Sequence, residues 1–253
     1  MDLGLRERVV LITGAAGGVG PTLARAFAAE GAAVALHVRD AATVGRAHAT
    51  ADEIRAEGGR AAVVGAELSL TDAIDAMLAT IASELGKVDV LVNATSAYRS
   101  EPLAEISDES WASMLDDMLG ATFRVSRAVV PAMREAGWGR IVSFASRSAL
   151  AGVAKAPHYA AAKAGVIGLT ASMAKELGPA GILVNAVAPT QILTVEDGEP
   201  SIPDERAEKM AKTIPLRRLA TAEDVAPLVV WLGSGANTYV TGETIGFTGG
   251  ARS

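Results

Sequence analysis

The stretch RVVLITGAAGGVG, Arg8–Gly20, decides the fold. Its first half is an unbroken apolar run stopped by glycine, the pattern of a short strand buried on both faces. Its second half, TGAAGGVG, is a glycine-rich turn. VGPTLARAFAAEG then carries apolar residues at helical spacing and stops at Gly31, a natural C-terminal cap. Glycine lets the backbone turn sharply and lets phosphate oxygens approach amide groups with no Cβ in the way. A helix N-terminus adds free N–H donors and partial positive charge. Strand, glycine turn and helix in that order form the place where a dinucleotide pyrophosphate binds. The spacing departs from the usual fingerprint: three residues separate Gly14 from Gly18 and one separates Gly18 from Gly20. Pro21 is tolerable so early in a helix, where its missing N–H costs little.

The same alternation runs through the rest of the chain. AAVALHV, AAVVGA, KVDVLVNA, GRIVSFAS, GILVNAVAP and ETIGFT read as further strands, and helical segments separate them. Strands that are apolar throughout and alternate with helices predict a parallel sheet covered on both faces, an α/β doubly wound fold. The residues 107–137 read as one long helix, with Ser107 placed to cap it and Pro131 to kink it. No fixed-period repeat or linker-like shift appears, so residues 1–253 are read as a single domain. The irregular segment TVEDGEPSIPDERAEK, acidic and with Pro200 and Pro203, reads either as a solvated loop or as a cover over a cleft, about residues 195–212.

Composition narrows the chemistry. The net charge is −6 and no basic run occurs, which argues against a nucleic-acid or anionic-membrane surface. Absence of cysteine removes disulfides, zinc thiolates and thiol nucleophiles. His37, His48 and His158 show no metal-ligand spacing and read as ordinary surface or cleft residues, so no metal site is expected. The opening MDLGLRERVVLITG is too short in its apolar part for a signal peptide or a membrane span, and a cytoplasmic protein is expected.

HYAAAKAG, His158–Gly165, holds the reactive pair. Tyr159 and Lys163 are one helical turn apart and share a face. A lysine ammonium ~4–5 Å from a phenol at an effective dielectric of ~20 is worth roughly 3–4 kcal/mol, enough to bring the phenol toward the range of general acid–base catalysis. The small residues around the pair let a cofactor lie close against the helix. At the end of the second strand, where ribose specificity is usually set, stand Arg39 and Asp40. A carboxylate favours the free hydroxyls of NAD and an arginine the extra phosphate of NADP, so position alone leaves both open.

With TGAAGGVG at the first turn, YAAAK on the later helix and Ser146 thirteen residues before Tyr159, the chain resembles the short-chain dehydrogenase/reductase family nearly end to end. VNAVAPTQILT and TYVTGETIGFTGG add to the likeness. The pattern is most similar to the 3-oxoacyl-thioester (acyl-carrier-protein) reductases. The resemblance implies one Rossmann-type domain with about seven strands, commonly a homotetramer, that transfers hydride between a nicotinamide and a carbonyl or secondary alcohol. It implies that Tyr159 donates the proton, Ser146 positions the carbonyl oxygen, and Lys163 holds the ribose and lowers the tyrosine pKa. Arg39 matches the family's NADP-selecting residue and the position of the NAD-selecting acid falls on Val38, so NADP(H) is favoured over NAD(H). The implied cofactor set further includes Thr13, Gly14, Gly18, Val19 and Gly20 at the turn, Glu67 and Leu68 beside the adenine, and Asn93 and Ala94 on the adenosine side. Pro189, Thr190, Ile192 and Thr194 complete it near the carboxamide and phosphates.

Three positions depart from the family pattern. NATS, Asn93–Ser96, replaces Asn-Asn-Ala-Gly; Glu67 replaces an aspartate; and Met118 stands where many members place a relay asparagine. Met118 either simply packs, with a backbone carbonyl or the Thr122 hydroxyl serving the relay, or it slows turnover. The alternative to an active reductase is therefore a catalytically impaired nucleotide-binding sensor or subunit of the same fold. Tyr98, Arg99, Arg147 and Ser148 are expected around a small-molecule substrate. Arg99 and Arg147 read either as contacts for a substrate anion or as solvated rim charges.

Overall fold

The computed structural model describes residues 1–39, 42–196 and 198–251. Seven parallel strands form one sheet: β1 (Val9–Thr13), β2 (Ala33–Val38), β3 (Arg60–Gly65), β4 (Val90–Asn93), β5 (Gly139–Phe144), β6 (Ile182–Pro189) and β7 (Thr244–Phe247). Their order, β3-β2-β1-β4-β5-β6-β7, reverses direction between β1 and β4. That reversal leaves a crevice at the carboxyl ends of those two strands, where ligands of doubly wound sheets bind.

Alternate residues of each strand point to opposite faces, and both faces are apolar. Val10 and Ile12 of β1 pack with Leu23 and Phe27 of α1 (Gly20–Ala29), Ile54 of α2 (Val44–Ala56) and Val229 of α9 (Ala222–Leu232). Val9 and Leu11 pack on the other side with Met77 and Ile81 of α3 (Thr71–Glu84), Val129 and Met133 of α5 (Ala121–Ala136) and Leu177 of α7 (Pro157–Leu177). The helices α4 (Asp108–Leu115), α6 (Ser148–Ala151) and α8 (Asp204–Ala211) lie in the segments that follow β4, β5 and β6.

Two expectations are corrected. The predicted 107–137 helix is interrupted, and the interruption lies at a π-helical turn, Asp116–Gly120, rather than at Pro131, which sits inside α5. The Thr122 hydroxyl competes there for a backbone group, donating to the Met118 carbonyl at 2.8 Å, and the Arg124 guanidinium pairs with the Asp116 carboxylate beside the turn. The N-terminal end is as read, with Ser107 accepting from the Ser110 N–H at 3.1 Å. The acidic 195–212 segment is also more ordered than a loop. Val195–Glu196 pairs with Glu199–Pro200, and α8 follows with Asp204 and Glu205 in its first turn, where the helix dipole favours them.

The glycine turn positions α1. A Cβ added at Gly20 would stand 2.6 Å from the backbone of Ala15, so only glycine lets the helix begin this close to the turn. Gly20→Ala is expected to destabilise the protein by about 2–3 kcal/mol through overpacking, read as a lower urea midpoint at unchanged slope; an unchanged midpoint would show that the turn can relax.

Candidate active site

The carboxyl ends of the strands open into one cleft of about 960 Å³. Gly14, Gly18 and Val19 line its floor at the β1–α1 turn, Arg39 and Glu67 one end, and Ser146, Tyr159 and Lys163 the middle. Ile202, Arg206 and Met210 of the 195–212 segment, with Ile214 and Leu219, border the far end. The turn fits a dinucleotide: Gly14 and Gly18 hold φ of 68° and 57°, left-handed values that glycine favours, and the space beside Gly18 is open.

The reactive cluster comes from two elements. Ser146 follows β5, and Tyr159 and Lys163 stand one turn apart on α7. Tyr159 hydrogen-bonds Ser146 and meets the Tyr98 ring edge-on at 5.2 Å between centroids. Lys163 is buried, and its Nζ donates to the Phe144 carbonyl at 2.6 Å. Burial acts on both groups. Burial pushes the Tyr159 phenol up from its ordinary value; the Ser146 hydrogen bond pulls it down and Tyr98 adds to the rise. Lys163 is itself pushed down to about 8 by burial.

The remaining predicted residues divide. Leu68, Ala94, Pro189, Thr190, Ile192 and Thr194 line the cleft, as do Tyr98, Arg147 and Ser148. Asn93 does not: its side-chain amide is buried and donates to Ser126 and Ser143 at 3.3 and 3.1 Å, joining β4 to α5 and β5. Thr13 is buried too, its hydroxyl accepting from the Ala94 N–H at 3.2 Å. Gly20 acts through packing. Arg99 is turned toward α4, donating to the Ser110 carbonyl at 3.3 Å, and lies outside the cleft lining. Asp40 lies outside the described residues. Met118 is buried with Met114 and Ala162 against Tyr159, and the Thr122 hydroxyl is occupied by the Met118 carbonyl. A thioether offers a water only a weak acceptor.

His37 and His158 are buried rather than peripheral; only His48 is exposed. The His37 ring takes the Gly14 N–H at Nδ1, 3.3 Å, and lies 3.0 Å from the Ala66 carbonyl at Nε2. The neutral ring with its proton on Nε2 satisfies both, so it ties the glycine turn to the ends of β2 and β3. Burial lowers its pKa, which keeps it neutral. A lone polar residue inside an all-apolar strand is a signal for such a partnered role. His158 lies beside Tyr159 with Glu101 at 3.9 Å. Among the described residues no group of three or more acidic or histidine side chains could hold a metal ion, and no helix is long and apolar enough to cross a membrane.

Comparison with known proteins agrees with this geometry. The family model described as enoyl-(acyl carrier protein) reductase matches residues 14–252. The chain is 38% identical to the short-chain reductase protein NovJ of Streptomyces niveus, over 97% of this chain and 94% of that protein. It is 36% identical to the 3-oxoacyl-[acyl-carrier-protein] reductase FabG of Escherichia coli (strain K12), over 96% of each. A solved structure described as a gluconate dehydrogenase from Agrobacterium tumefaciens superposes with a TM-score of 0.91 at 27% identity, covering 99% of this chain and 98% of that one.

The buried lysine gives a pH-dependent prediction. The folded state binds the Lys163 proton less tightly than the unfolded chain, so burying the charge is unfavourable below pH 8 and the penalty is gone above 10.5. Lys163→Met is expected to raise unfolding free energy by about 3 kcal/mol at pH 7, and that gain should close as pH rises through this window. A gain that stays constant with pH in denaturant titrations would rule out the electrostatic origin.

Proposed function

The chain belongs to the short-chain dehydrogenase/reductase family of oxidoreductases, and from that membership we propose that it is an NADP(H)-dependent carbonyl reductase of the 3-oxoacyl-thioester type. The observation that carries the reading is one cluster in the cleft: a partly buried phenol bonded to Ser146, one helical turn from a buried lysine, on the same cleft as the glycine turn.

A nicotinamide cofactor held along the glycine turn and by Lys163 would supply the hydride for the carbonyl carbon. The Tyr159 hydroxyl gives its proton to the carbonyl oxygen, so the product is a secondary alcohol and the enzyme is left with a tyrosinate. Because burial raises the phenol, it is protonated at neutral pH and ready to act as the acid. Ser146 hydrogen-bonds the same oxygen, and Lys163, with a pKa near 8, is suited to return a proton to the tyrosinate. Turnover proceeds without the relay asparagine, since the buried Met118 packs against Tyr159 and loss of one proton-relay member slows the chemistry rather than abolishing it.

Arg39 at the end of β2 supports NADP as cofactor. The apolar wall of Val153, Ile202, Met210, Ile214 and Leu219, with Arg147 and Arg206 on the same cleft, supports an acyl substrate carrying an anionic handle and covered by the 195–212 segment. The name of the FabG relative points to the same substrate class. Self-association through α4 and α5 is part of this reading, because Trp111 and Phe123 there stay 44% and 45% exposed.

Two measurements test the proposal. NADPH oxidation with an acetoacetyl thioester is expected to fall by about 10²–10⁴-fold in Tyr159→Phe, with cofactor affinity kept; undiminished turnover would remove the tyrosine from the mechanism. In the wild type, reduction is expected to hold from acid to neutral pH and fall as the raised phenol ionises, while alcohol oxidation rises with pH. Parallel profiles in both directions would contradict a single acid–base group.

A further inference from the structure

Arg39, the cation that supports the NADP reading, is already paired. Its guanidinium lies 2.9 Å from the carboxylate of Asp117, with the two side chains 55% and 25% exposed. Asp117 belongs to the π-helical turn after α4, so the pair spans the cleft from the end of β2 to the element following β4, and both residues line the cleft. A hydroxyl holds the carboxylate from the other side: Ser113 donates to its second oxygen at 3.4 Å. The neighbouring Asp116 is taken by Arg124.

We propose that Asp117 is a specificity-determining residue that opposes the 2′-phosphate of NADP by occupying Arg39 and by placing a like charge beside the phosphate's site. The inference rests on the NADP reading above. A phosphate dianion reaching Arg39 must displace a carboxylate already in hydrogen-bond contact and then remain next to it. NADH, which has hydroxyls there, leaves the pair intact. A phosphate dianion offers the half-exposed Arg39 a bidentate, doubly charged partner in place of a single carboxylate contact, so Asp117 weakens NADP binding without preventing it. It thereby narrows the preference that Arg39 alone would impose. The π-helical turn contributes by inserting an extra residue into the helix at this point, which sets the direction in which successive side chains leave it.

The test is a binding cycle by isothermal titration calorimetry, which needs no turnover. Kd for NADPH and NADH is measured for the wild type, Asp117→Asn, Arg39→Ala and the double variant, with circular dichroism to check folding. Asp117→Asn is expected to tighten NADPH about tenfold, the scale of one like-charge contact near a dianion at a solvated site, and to change NADH less than twofold. In the Arg39→Ala background the gain should shrink, and Asp117→Glu should restore the wild-type ratio. Equal tightening of both nucleotides, or no change in the ratio, would overturn the role of Asp117 while leaving the NADP reading in place. A preference for NADPH that survives Arg39→Ala would overturn the Arg39–Asp117 account, and a wild type that binds NADH more tightly than NADPH would overturn the NADP reading itself.

Discussion

All seven strands of the sheet are parallel, so all their carboxyl ends emerge at one edge. Much of the cleft lining is delivered from that edge: the glycine turn after β1, Arg39 after β2, Glu67 after β3, Ala94 after β4, Ser146 after β5 and Thr190 after β6, with Tyr159 and Lys163 added by α7. The reversal of strand order between β1 and β4 parts the flanking helices and leaves room for a ligand across these ends. A sheet buried on both faces cannot expose its polar ends elsewhere, which is why one cleft collects them.

Inside that cleft, burial sets the electrostatics. Reading Tyr159 and Lys163 as a pair on a solvated helix makes Coulomb attraction the main effect. In the folded chain both are largely removed from water, and each is pushed toward its neutral form. The phenol therefore keeps its proton at neutral pH, and the lysine is drawn down to about 8. The same low-dielectric setting keeps His37 neutral, which lets one ring hold both the Gly14 amide and the Ala66 carbonyl. Met118 belongs to this picture as packing for the Tyr159 ring rather than as a water ligand.

The fold was largely legible because its signals are local. Most strands are short apolar runs bounded by glycine or a polar residue, and most helices carry their own apolar period, so Val9–Thr13 or Thr71–Glu84 can be read without knowledge of neighbours. The exceptions are instructive. The turn at Asp116–Gly120 carries a side-chain bond to a backbone group, Thr122 on Met118, and an Arg124–Asp116 ion pair beside it, and no propensity scale contains such contacts. Proline was the obvious breaker in the segment, yet Pro131 lies within α5. The acidic 195–212 segment looked irregular because its charges suit a short exposed helix that has no buried residue and so no apolar stripe to read.

What the sequence by itself determined is the order of elements, the parallel sheet, the glycine turn and the pairing of Tyr159 with Lys163 on one helical face. These follow from period, spacing and backbone permissiveness, which act over a few residues. Only the tertiary structure decided that Asn93 binds β5 and α5 instead of facing the cleft, that Arg99 turns to α4, that His37 holds the glycine turn, and that Arg39 meets Asp117. Each of those is a contact between residues far apart in the chain. Its sign and strength depend on distance and burial, which no local pattern encodes.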